Sequence, residues 1–166
     1  MSWPYLYKFE LKEKQMKTKL LIVALTTIFV TACSKDKFGT KPQLTFKGVN
    51  TDVLYPNAVI EFTLHYTDKD GDIQNTQFYI EKITKNCTLS NFVDSSHYTP
   101  MDVPPKKDAE GDIIIRYLYG IADGYATITG PVCDENDTCV FRFALKDQAN
   151  NSSDTVTSSQ VVIIKN

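Results

Sequence analysis

Histidine, cysteine and aspartate are the side chains through which this chain would do chemistry. It has two histidines and four cysteines. His65 alternates with apolar residues in a strand-like run, which places it on an outward face and suits a cross-strand surface pair. His97 stands in Asp94-Ser95-Ser96-His97, which holds the residue types of a hydrolytic triad. A triad is a spatial arrangement, and neighbours on one loop do not meet in its geometry. No nucleophile elbow, HExxH, phosphate loop or dinucleotide fingerprint occurs. The sequence points away from an enzyme.

The aspartates are a better prospect. Asp68-Lys69-Asp70-Gly71-Asp72 sets carboxylates at alternate positions, and Asp147 and Asn150 follow a later strand. Calcium takes roughly six to eight oxygen ligands, which loops of this kind supply. If successive strands simply alternate in direction, the exits carrying Asp68, Asp70, Asp72, Asp123, Asp147, Asn150 and Asp154 share one pole. Asp68, Asp70, Asp72, Asp147 and Asn150 are then the candidate Ca2+ ligands. The loop is not a full EF-hand: Ile73 stands where that loop has Gly, and Tyr79 where it has Glu. Asp-Gly is also a hairpin signal in its own right, so a solvated turn is the simpler account.

The cysteines divide by position. Cys33 closes an eleven-residue apolar run, Leu20 to Val30, that follows Lys17 and Lys19. A basic head, a short apolar segment and small residues at the exit make a secretory signal. A membrane-spanning helix needs about 20 apolar residues, and Leu20 to Ala32 is thirteen. Met16 is the natural start of such a signal, with Met1–Gln15 upstream of it. Val30-Thr31-Ala32-Cys33 resembles the lipobox of bacterial lipoproteins, which implies a lipidated Cys33 at the mature amino terminus and an outer-membrane or cell-envelope location. Lys35-Asp36 partly matches the charged export signal of Bacteroidetes surface lipoproteins, although a solvated linker explains it as simply. Cys87, Cys133 and Cys139 remain for an oxidising compartment. Cys133 and Cys139 bracket a run of turn-formers, and the expectation is that they pair, with Cys87 bonded to either one as the alternative. So short a loop stabilises by only about 2 kcal/mol.

The parts differ in charge. Residues 1–32 carry five Lys and two Glu, net +3; residues 33–166 carry 13 Lys and Arg against 18 Asp and Glu, net −5. So acidic a domain does not suit nucleic acid, whose phosphates require clustered Lys and Arg.

The elements that must position these residues are strands. Ile60, Phe62, Leu64 and Tyr66 alternate with polar residues, as do Phe141, Phe143 and Leu145, the pattern of half-buried strands. Thr76–Thr84, Ile113–Tyr119, Tyr125–Val132 and Thr155–Lys165 are further strands, with Leu44–Val49 in front. Tyr117 and Tyr119 share a face; exposed, they would stack sugar rings, but packing in the core is the expectation. About seven antiparallel strands in 134 residues indicate a single β-sandwich. Tyr66–Ile73 and Ala144–Thr155 resemble the immunoglobulin-like and cadherin-like modules of bacterial surface proteins. Residues 1–32 are therefore the leader, 33–42 a tether of at most about 30 Å, and 43–166 an immunoglobulin-like domain. Lys85–Gly111 is irregular. The function expected is a non-catalytic binding or adhesion domain held to the membrane by lipid, its partner an envelope protein or a glycan. An accessory subunit of an outer-membrane uptake or secretion assembly is the alternative.

Overall fold

Alternation of apolar and polar residues becomes ten strands among the described residues. The computed structural model describes residues 39–74, 77–94, 106–121 and 126–166; the leader, Cys33, His97 and Asp123 lie outside the described residues. The strands are β1 (Gln43–Val49), β2 (Val53–Leu54), β3 (Val59–Asp68), β4 (Phe78–Thr84), β5 (Phe92–Asp94), β6 (Ala109–Tyr119), β7 (Thr127–Ile128), β8 (Asp137–Leu145), β9 (Val156–Thr157) and β10 (Val161–Ile163). Among the described residues the helical content is one 3-10 turn, Thr88–Ser90.

Two sheets result. One has the order β1-β3-β6-β7, the other β2-β10-β8-β4-β5 with β9 beside β8. β3 and β6 pair along their full length, from Val59 opposite Leu118 to Asp68 opposite Ala109. In the second sheet all of β4 pairs with β8, from Phe78 opposite Leu145 to Thr84 opposite Cys139. Period-two alternation turns Ile60, Phe62 and Leu64 toward Ile80, Phe141, Phe143 and Leu145, all without accessible surface. The Phe62 ring lies 4.6 Å from Phe141 and 5.3 Å from Phe143, so aromatic rings of facing strands interlock across the gap between sheets. This is the all-β sandwich expected from the strand pattern.

Three features depart from expectation. β2 and β9 are two residues long, too short to carry a periodic signal. β2–β10 and β6–β7 are parallel pairs, so the sandwich is not wholly antiparallel. The third lies in the irregular segment: β5 pairs antiparallel with the edge of β4 and adds a reversal of direction. β6 therefore runs opposite to β3, and the turn after Tyr119 leaves at the other pole from Asp68. Asp123, expected at the pole of Asp68, lies outside the described residues.

Candidate functional site

Registry divides the functional side chains between two poles. β3 ends, β4 begins and β8 ends at an acidic pole, where Gln148 N–H donates to the Asp72 carbonyl at 3.1 Å. Asp68 terminates β3 with no accessible surface. Its Oδ2 accepts the Asp72 N–H at 3.0 Å. Asp72 Oδ2 accepts the Ala149 N–H at 3.2 Å, which ties the two turns together. Asp147 is also buried, and Asn151 occupies both its oxygens, through its N–H at 2.6 Å and its side-chain amide at 2.7 Å. Asp68 lies just under the surface, and burial pushes its carboxyl above the usual carboxylate range. The charges of Asp72 and Asp147 add to the rise, while N–H groups of Asp72 and Gly71 oppose it.

The five expected calcium ligands are thus not gathered as one set. Asp68, Asp72 and Asp147 reach the pole; Asp70 and Asn150 are exposed, and Asn150 serves its turn with φ 69°. Among the described residues no three His, Cys, Asp or Glu side chains close into a metal centre. Asp147 is removed from the ligand set by Asn151, a local partner whose reach is invisible until the turn is folded.

At the opposite pole the cysteine expectation is corrected. Cys87 bonds Cys133, and Cys139 is a free, buried thiol. Cys139 shares the inward face of β8 with Phe141 and Phe143, and it has no accessible surface. The same alternation that revealed β8 could have shown this, because Cys139 is in phase with Phe141. Burial pushes the Cys139 thiol up to about 12, with Asp137 adding to the rise and Lys82 opposing it. Sequence reading also missed Lys82 and Asp137. Each is in phase with the inward residues of its strand, and they meet in the core at 2.6 Å. Lys82 Nζ donates to the Ser90 carbonyl at 3.0 Å as well. The Asp137 oxygens lie within ion-pair range but off hydrogen-bonding directions, so neither accepts a hydrogen bond.

The disulfide holds a segment that displays apolar side chains. Val132 N–H donates to Ser90 Oγ at 3.0 Å, and Lys165 Nζ donates to the carbonyls of Pro131 and Cys133. Leu89 (76% exposed) and Val132 (63%) flank the bridge in sequence. Tyr55 (59%), just after β2, and Ile121 (98%), just after β6, are exposed at the same pole, where Asn57 N–H donates to the Tyr119 carbonyl at 2.8 Å. Tyr117 and Tyr119 themselves are core residues, as expected, and form no sugar-stacking face. His65 meets its register partner Asp112 at 2.8 Å, the cross-strand pair expected of it.

No family model matches the chain, and no curated protein matches it significantly. Among solved structures it is similar to Spo0M, the sporulation control protein of Bacillus subtilis. That match has 11% identity and a TM-score of 0.43, and covers 76% of this chain and 50% of that one. It is also similar to the CARDB domain of the PF1109 protein of Pyrococcus furiosus, solved in complex with di-metal ions. There the identity is 14% and the TM-score 0.32, with 79% and 95% covered. This chain spans about half the length of the Spo0M chain. At these scores neither likeness bears on function, and the β-sandwich rests on its own two sheets.

Proposed function

We propose that this chain is a lipid-anchored cell-envelope protein whose β-sandwich is a non-catalytic module for binding an envelope protein. Two features support the anchor: the Val30-Thr31-Ala32-Cys33 pattern, and the place where the tether meets the domain. The chain enters at the acidic pole, where Lys69 N–H donates to the Gly39 carbonyl at 3.2 Å and Lys41 pairs with Asp154 at 2.6 Å. An anchor just upstream turns that pole toward the membrane and the apolar pole away from it.

The observation that carries the binding role is that outward pole. Leu89, Val132, Tyr55 and Ile121 stand exposed on backbone fixed by a disulfide and paired strands. Apolar side chains on a rigid frame lose little entropy on docking, which is how a small interface gains affinity. A protein surface suits them better than a glycan, since Tyr117 and Tyr119, the tyrosines that share a strand face on β6, are buried.

The test has two arms. Cys33→Ser should leave unprocessed precursor without incorporated fatty acid, and normal processing of that variant would remove the anchor. Leu89→Asp with Val132→Asp should leave the melting transition in place and abolish cross-linking to envelope proteins in intact cells. Undiminished cross-linking would remove the apolar pole as the binding surface.

A further inference from the structure

We propose that Asp68 and Asp72 seat a calcium ion at the acidic pole. The inference is independent of the anchor and of the apolar pole. It starts from two oxygens, Asp68 Oδ1 and Asp72 Oδ1, which are buried and have no hydrogen-bond partner. Their sister oxygens are both committed to N–H groups, of Asp72 and of Ala149. Each carboxylate is thus held by one oxygen and leaves the other buried and unmatched. A buried acceptor without a donor costs its full desolvation, and two anionic ones beside each other also repel.

Among the described residues, no donor or cation relieves them. Among the described residues neither Asp68 nor Asp72 takes part in an ion pair, and the Asp147 carboxylate adds negative field while its own oxygens are held by Asn151. The turn is also closely packed at Gly71. Gly71 has φ 68°, and the Lys106 carbonyl lies 2.1 Å from where a Cβ at Gly71 would stand, so that backbone is packed against its neighbour. The carboxylates themselves are tethered through their Oδ2 atoms, Asp68 to the Asp72 N–H and Asp72 to the Ala149 N–H.

A cation supplies what they lack. Calcium accepts two carboxylate oxygens together with carbonyls and water in irregular geometry, whereas magnesium demands a near-ideal octahedron. The site therefore needs two acidic side chains, not a cluster of three or more, which does not occur among the described residues. Asp70 and Asn150 have no part in it.

The test uses the purified full chain stripped with chelator. Millimolar calcium should raise its melting temperature by about 5 °C or more. Asp68→Asn and Asp72→Asn should melt cooperatively in chelator and show no rise. An unchanged wild-type melting temperature would overturn the proposal, as would a full rise in either variant. Terbium gives a readout that does not depend on the variants. Tyr66, whose phenol feels the Asp68 charge, should sensitise bound terbium, with calcium quenching the emission at one ion per chain and Tyr66→Phe weakening it. Absence of sensitised emission, the result if water alone fills the turn, would also count against it.

Discussion

Lys82→Met is the substitution that probes the core most directly. The Lys82 and Asp137 side chains are 2% and 0% exposed, and their charged atoms lie 2.6 Å apart. Removing the ammonium leaves the Asp137 carboxylate in the sandwich with no hydrogen-bond donor on either oxygen. Breaking a buried pair in this way costs about 3–5 kcal/mol, because one charge remains uncompensated. In a domain of this size each kcal/mol moves the melting temperature by roughly 3–5 °C, so the loss is about 10–20 °C. Urea unfolding followed by far-UV circular dichroism gives the free energy, and a thermal melt gives the temperature. The double variant Lys82→Met with Asp137→Leu removes both charges and should recover most of the loss, since well-packed apolar replacements of buried pairs are near neutral. A single variant within about 1 kcal/mol of wild type would refute the reasoning, and so would a double variant as unstable as the single one.

Two further outcomes follow from the same geometry. Unreduced native protein should resist alkylation at Cys87, Cys133 and Cys139, and unfolding without reductant should expose Cys139 alone, as read by peptide mass spectrometry; Cys87→Ser should then cost about 4 kcal/mol, the chain-entropy value for a separation of 46 residues. Asp68 holds its proton more tightly when folded than the unfolded value of 3.8 allows, so in chelator its contribution to stability falls as pH climbs from that value through the folded one. The melting temperature of Asp68→Asn relative to wild type should rise over the same window and then level off; a relative rise on acidification would contradict the assignment.

How much was legible depends on whether a signal was local. Ile60-Glu61-Phe62-Thr63-Leu64 declares its own face because side chains alternate along a strand, whatever the strand later pairs with. The same rule gives Phe141, Phe143 and Leu145 their place, and extended consistently it also turns Cys139 inward. The expectation of a leader ending at Cys33 also rests on a local pattern, a basic head followed by an apolar run and small residues.

Partners are another matter. Cys87 and Cys133 are 46 residues apart, and only the folded pole brings them together while β8 withdraws Cys139 to the core. Lys82 and Asp137 are both in phase with buried neighbours, but that they neutralise each other depends on β4 lying beside β8. The poles were decided by three residues: Phe92–Asp94 pair with β4 as one more strand, reverse the chain, and send β6 away from Asp68. The sequence by itself determined which residues face inward, because that follows from backbone geometry over a few bonds. Which charges, thiols and turns meet was decided by the tertiary structure alone, because pairing depends on the order and direction of strands far apart in the chain.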